Sequence, residues 1–347
     1  MVNEQYRPEV ISAEQRLGIH FVKPDTSLID RLNSQITIIA RNLNAHASMP
    51  IMPIRGFIDK PLLTEQRREI DQLIEPGYAG DAVDLQDRLT TIPVRENGER
   101  MVHLPTLFER DKIPLSLSSL PFHEACGEWA GKGRVFWVRQ QVAEHLLRAG
   151  IVLDKLDIVL HIEDAFRPVG VQEGLFLRRA KMILQEHPEW INSWDKVWAE
   201  ARSKTAISPL MAGHKSGAAL DITLRKKSNG EALSIGNRYP EGGAKVALRY
   251  PYITQEEWAV RQLFVRTMEM AGLRRYPYET WHISYGDLSA GISADSDTEI
   301  TSGYEAMYGP IEGFNSNGKV IPSPTDKYNQ PFYSQSELLD IIKREGK

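Results

Sequence analysis

Gly213-His214-Lys215-Ser216-Gly217-Ala218-Ala219-Leu220-Asp221-Ile222-Thr223-Leu224 is the stretch on which the fold turns. Its small residues allow a tight turn and close backbone approach. From Gly217 to Leu224 the pattern is that of a strand. Ala218, Leu220 and Ile222 take one face, and Ala219, Asp221 and Thr223 take the other. A carboxylate in so apolar a run needs a partner if it is buried. A metal ion is one such partner. By itself the segment also reads as a surface Asp beside a hydrogen-bonded loop His.

Two further segments bear on the same chemistry. Tyr276 to Ser284 reads as extended and contains Glu279-Thr280-Trp281-His282. On a straight strand, residues three apart point to opposite faces, so Glu279 and His282 can share a site only across a bend or bulge. Leu156 to Ile162 alternates as a strand and runs into Glu163-Asp164-Ala165-Phe166-Arg167-Pro168. An Arg fixed by a following Pro at a strand end is placed to meet a developing oxyanion. Its blander role is a salt bridge to Glu163 or Asp164. Taken together, His214, Asp221 and His282 make the three protein ligands of an open catalytic zinc site. Glu279 adds a base and Arg167 a positive charge. HExxH, GxSxG, GxGxxG and P-loop motifs are absent from the sequence.

Outward from this centre, Leu28, Leu32, Ile36, Ile39 and Leu43 predict a helix over 27–43. A shorter one is expected over 64–74, ended by Pro76-Gly77. Val135, Val138, Val142 and Leu146 predict a helix over 134–149 with Gly150 as its stop. Residues 172–203 read as helical with a break near Pro188, and 255–271 as a helix closed by Gly272. Glu173, Arg178 and Arg179 read as solvated helix charges, and Asp295 to Glu299 as a solvated acidic loop. Residues 309–331 are mostly loop. Ser334-x-x-Glu337 is a capping box for a C-terminal helix with Leu338, Leu339, Ile341 and Ile342 on it.

The chain has 347 residues, enough for a substantial core. Its 42 Lys+Arg nearly balance 46 Asp+Glu, which lacks the basic excess of a nucleic-acid binder. Cys126 is the single cysteine, so a disulfide, a four-cysteine zinc site and a CxxC pair are excluded. No run approaches the ~20 apolar residues of a membrane span. Met1 to Pro8 is polar where a signal peptide is apolar, so a cytoplasmic setting without membrane or nucleic-acid partners is expected.

Phe-Arg-Pro, then His-x-x-Gly-x-Ala-x-Asp, then Glu-x-Trp-His, in that order, resemble the D-alanyl-D-alanine dipeptidases of the vancomycin-resistance type and the wider zinc D-Ala-D-Ala carboxypeptidases. The resemblance covers roughly residues 115–310. It implies an α+β fold with a central antiparallel sheet flanked by helices and one zinc per chain. By motif match it makes His214, Asp221 and His282 the ligands, Glu279 the general base and Arg167 the stabiliser of the tetrahedral intermediate. Two positions depart from it: Ala212 stands where the family usually has Ser, and Thr280 where the dipeptidases often have Trp. Glu-x-Trp-His followed by Tyr285 and Gly286 is nearer the carboxypeptidase branch.

The expected function is therefore hydrolysis of a small peptide of D-Ala-D-Ala type. The alternatives are a D,D-carboxypeptidase or amidase acting on a longer substrate, and a non-catalytic binding module on the same scaffold. The expected organisation is an N-terminal extension over 1–110, a peptidase-like domain over 111–330 and a C-terminal helix over 331–347. The sequence leaves the oligomeric state open.

Overall fold

The computed structural model describes residues 7–53 and 55–345, so Met1 to Tyr6 of the polar start lie outside it. The chain begins with helix α1 (Pro8–Arg16), strand β1 (Phe21–Val22), helix α2 (Thr26–Leu43), strand β2 (Phe57–Ile58) and the long helix α3 (Thr64–Leu89). Next come β3 (Met101–His103), α4 (Leu104–Arg110), β4 (Leu115–Leu117), β5 (Trp137–Arg139), α5 (Gln140–Asp154), β6 (Ile158–Asp164) and α6 (Val169–Glu186). They are followed by α7 (Trp194–Arg202), the single turn α8 (Gly213–Ser216), β7 (Ala219–Lys226) and α9 (Gln255–Ala271). The hairpin β8 (Arg274–Tyr276) and β9 (Glu279–Ser284), the pair β10 (Ile311–Phe314) and β11 (Val320–Pro322), and helix α10 (Gln335–Glu345) complete the order.

The fold mixes helices with small sheets, and the largest sheet has the order β4-β6-β7-β9-β8. Pairing is antiparallel from β6 to β8, but β4 joins β6 in parallel. The sheet therefore departs from the fully antiparallel form expected from sequence. Strands β4 and β6 are separated in the chain by β5 and α5, and parallel neighbours need such a crossover. On one face Leu160, Ile162, Leu220, Ile222 and Ile283 pack under α2, α5 and α9, through Ile36, Val142, Leu146, Leu263, Phe264 and Met268. The other face of β7 carries Asp221. Helices α1 and α3 share a second core with the later segments: Val10, Ile70, Ile74 and Tyr78 pack with Ala244, Tyr250, Tyr252, Tyr278 and Leu288. A third cluster docks α10 on α6 and α7, where Leu338 is fully buried beside Phe176 and Val197.

Several sequence expectations meet their local cause. Helix α9 begins in a capping box, with Thr254 Oγ1 accepting from the Glu257 N–H at 3.3 Å and Glu257 Oε2 accepting from the Thr254 N–H at 3.0 Å. It ends at Gly272, whose φ of 105° suits glycine. Helix α10 opens with the same reciprocal pair, Ser334 and Glu337.

Others are corrected. Helix α3 runs through Pro76 to Leu89 instead of stopping there. The proline removes the N–H that would bond the Gln72 carbonyl. The helix persists because Ile70, Ile74, Tyr78, Ala82, Leu85 and Leu89 form one buried stripe on both sides of the break. The expected helix over 134–149 is loop to residue 136, a short strand over Trp137–Arg139 and a helix only from Gln140. Gly150 lies inside it, not at its end, because Phe108 packs where a Cβ would sit, 2.9 Å from the Phe108 Cε1. The extended segment 276–284 is the second half of a hairpin turning at Pro277-Tyr278. The acidic loop is not wholly solvated, since Asp297 is buried and accepts from Arg275 Nη2 at 2.7 Å.

Glycine substitutions separate helix propensity from packing. Gly174 lies inside α6, and a Cβ there would overlap the Ala125 carbonyl and come within 2.6 Å of the Cys126 Cα. Gly174→Ala should therefore lower stability by about 1–3 kcal/mol in urea denaturation, despite the better helix former. Gly80 in α3 is exposed with open space around it, so Gly80→Ala should raise stability by up to about 1 kcal/mol.

Candidate metal centre

Three neighbouring strands line up the site. Asp221 on β7 lies directly opposite His282 on β9, and opposite Asp164 on β6. The second pairing depends on a bulge: Ile162 faces Ile222, Glu163 is the extra residue, and Asp164 then falls beside Asp221. A larger irregularity lies in the hairpin, where Arg275 pairs with Ile283 but its neighbour Tyr276 pairs with Glu279. The extra residues of β9 bring Glu279 and His282 to one side, with Glu279 Oε2 3.5 Å from His282 Nδ1. This is the bend that the sequence required. His214 arrives on α8, and Gly217 at φ 73° turns the chain back into β7. The Arg167 N–H donates to the His214 carbonyl at 3.2 Å, fastening the loop after β6 to α8.

The structure thus brings all five predicted site residues together. His214 Nε2 and His282 Nδ1 each lie 3.2 Å from the same oxygen, Asp221 Oδ1. The three ligand atoms are within 4.8 Å of one another, and all three residues are buried. His214 Nδ1 is 2.7 Å from the Ala165 carbonyl oxygen. A carbonyl only accepts, so the proton of that contact sits on Nδ1. Burial, and then the Arg167 charge, push the His214 pKa down and favour the neutral ring. Its Nε2 lone pair then faces the lone pairs of a carboxylate. A cation between them resolves that conflict, so the donor set fits a metal ion. Burial opposes the ionised Asp221, but the two rings and Arg167 hold its carboxyl well below the usual range. For His282, burial opposes the charged ring, but the hydrogen bond and charge of Asp221, with the charges of Glu279 and Asp287, together outweigh it and raise the pKa. Glu279 opens onto the cleft, with 37% of its side chain exposed, and burial of its surroundings raises its pKa.

Arg167 is not a free cation. Its Nε donates to Asp164 Oδ2 at 2.8 Å and its Nη2 donates to Asp221 Oδ2 at 2.7 Å. Of the two carboxylates weighed from sequence, Asp164 is the partner. Glu163 instead accepts from Thr223 Oγ1 at 2.9 Å. Arg134 also donates to Asp164, giving an alternating row Arg134, Asp164, Arg167, Asp221. Sequence reasoning missed Arg134 and Tyr239. Tyr239 lies on the loop after β7, its ring edge-on to Trp281 at 5.4 Å and its side chain in the same cleft. No spacing rule links either residue to the motifs. The only local signal is an aromatic placed before Pro240 in a glycine-rich loop.

The cluster opens into a cleft of about 900 Å³. Its walls come from α3, through Asp71, Glu75 and Tyr78, from α6, through Gln172, Arg178 and Arg179, and from the loop around Tyr239. On the α3 wall, burial pushes the Asp71 carboxyl up to about 6, against the lowering effect of the Tyr250 hydroxyl that donates to it at 2.7 Å.

The site is thus a buried His-Asp-His cluster able to hold a metal, with a carboxylate beside it in a cleft. Residues 129–299 match the model of the Peptidase_M15 family, described as D-ala-D-ala dipeptidase, which supports a peptidase of that family. All five site residues fall inside the match, whereas α3 lies outside it. No curated protein matches the chain. Among the described residues, no helix is long and apolar enough to cross a membrane.

Two measurements check this electrostatic description. Zinc at about 1,000 times its dissociation constant should stabilise the protein by about 4 kcal/mol. Asp221→Asn should abolish the corresponding rise in melting temperature. For Asp71, the folded pKa lies above the unfolded value of about 3.9. Stability present below pH ~3.9 is therefore lost as pH rises through about 6. Asp71→Asn keeps an acceptor for Tyr250 and should gain up to about 3 kcal/mol over wild type between pH 4 and 8. Parallel urea titrations at the two pH values read the difference.

Proposed function

We propose that the protein is a zinc-dependent peptidase that hydrolyses a small peptide, D-Ala-D-Ala or a related dipeptide. The observation that carries this reading is the buried His214, Asp221 and His282 cluster with Glu279 beside it on the cleft. His214 Nε2, His282 Nδ1 and Asp221 would hold the metal. Their mix of imidazole nitrogen and carboxylate oxygen, with a position left open, suits zinc. When bound, zinc supplies Lewis acidity to a water and to the peptide carbonyl. Glu279 would take the proton from the attacking water and return it to the leaving amine. Its raised pKa brings a carboxylate closer to the range in which it can do both. Arg167 would hold Asp221 in orientation through Oδ2 and lend positive charge to the developing oxyanion. The Tyr239 hydroxyl has no hydrogen-bond partner among the described residues and would meet the substrate in the cleft.

A longer substrate is the second reading, and the cleft favours it. Its volume of about 900 Å³ lies near the top of the ~300–1,000 Å³ range of small-molecule sites, more room than a dipeptide fills. Ala212 and Thr280 point the same way. The cytoplasm is the proposed setting, in keeping with a lone buried thiol, Cys126.

Glu279→Gln is the decisive variant. It should bind zinc as wild type does, by metal analysis after dialysis, and lose at least about 100-fold in kcat on D-Ala-D-Ala or on a peptide ending in it. A metal-free Glu279→Gln protein would make Glu279 a ligand instead of a base. Arg167→Ala is a poorer test. It would take one buried partner from both Asp164 and Asp221, leaving them Arg134 and the two imidazoles, at a cost of about 3–5 kcal/mol in stability.

A further inference from the structure

Helix α6 starts two residues after Arg167 and runs away from the metal cluster along the cleft. Arg178 and Arg179 stand on its cleft side and are half-buried, not solvated as their sequence suggested. Among the described residues neither has an ion-pair or hydrogen-bond partner, and Arg179 Nε is buried without one. A guanidinium withdrawn from water needs an acceptor. Of the carboxylates that line the cleft, Glu186 is exposed to water and Glu279 lies at the His-Asp-His cluster, and three others are engaged. Asp71 accepts from Tyr250, Glu75 pairs with Lys204 at 3.3 Å, and Glu241 pairs with Lys245 at 3.3 Å. What remains is a positive wall with open donors, continuous with the metal cluster.

We infer that Arg178 and Arg179 form an anion subsite that binds a carboxylate of a peptide substrate several residues before the scissile bond. The inference rests on the peptidase reading and names the longer substrate class. Arg178 and Arg179 lie nine and ten residues beyond Val169, about 14–15 Å along the helix axis at ~1.5 Å per residue. An extended peptide covers that distance in about four residues at ~3.4 Å each. The guanidinium fork suits a carboxylate, which can take two parallel N–H donors. A dipeptide held at the metal cluster would not reach this wall.

The test uses acetyl-Glu-Ala-Ala-D-Ala-D-Ala and its Gln counterpart with the zinc-loaded full chain. The wild type should prefer the Glu peptide in kcat/KM by about tenfold or more, through KM, since charge-assisted hydrogen bonds are of that strength. In Arg178→Gln/Arg179→Gln the ratio should fall to about one. Arg178→Lys/Arg179→Lys should keep most of it and serves as the folding control. A wild-type ratio near one, or a ratio that survives in the Gln double variant, overturns the subsite. Binding of both peptides to Glu279→Gln protein, followed by tryptophan fluorescence, separates the two readings. A Glu preference that depends on Arg178 and Arg179, without turnover of any peptide by the wild type, keeps the subsite and sinks the peptidase. Turnover without such a preference does the reverse.

Discussion

The site depends on how one buried carboxylate is satisfied. Asp221 offers Oδ1 to two imidazole nitrogens, each at 3.2 Å, and Oδ2 to the Arg167 guanidinium at 2.7 Å. A carboxylate this deeply buried is too costly to leave unpaired. The strand registers of β6, β7 and β9, the bulge at Glu163 and the turn at Gly217 all serve to bring those partners to it. The metal cluster and the Arg134–Asp164–Arg167 row are thus one electrostatic unit. Disturbing any member exposes the others to uncompensated burial.

This coupling shapes how Arg167 acts. From sequence it is a rigid cation at a strand end, free to face an oxyanion. In the fold it is tied to Asp164 and Asp221, so its charge reaches the cleft only in part, with 15% of the side chain exposed. It is both an orienting group for Asp221 and a source of positive potential. The two roles draw on the same nitrogens, so substitutions at 167 cannot separate them. Glu279 is placed differently. It hydrogen-bonds to no neighbour strongly enough to hold it below the ordinary carboxylate range, and it opens onto the cleft.

The cleft is larger than the matched peptidase segment alone would make it. Helix α3 comes from the N-terminal hundred residues and shares a core with Tyr250, Tyr252, Tyr278 and Leu288. Its polar side, with Asp71 and Glu75, becomes a wall of the site. Hydrophobic burial beneath fixes that wall, which is why a helix broken by Pro76 stays continuous. The shape of the cleft is therefore shared between the His-Asp-His cluster and a helix far from it in sequence.

The sequence by itself determined the candidate site residues: His214, Asp221, Glu279 and His282 sit in short motifs legible within a few residues, although strand register brings them together. It also determined α9 and α10, because capping boxes act within four residues. Only the tertiary structure decided which carboxylate holds Arg167, that α3 passes Pro76, that Gly150 lies inside a helix, and that Arg178 and Arg179 face a cleft and not water. The physical reason is the same in each case. Burial is set by what packs on an element from elsewhere in the chain, and periodicity along the element gives a face without saying what lies opposite it.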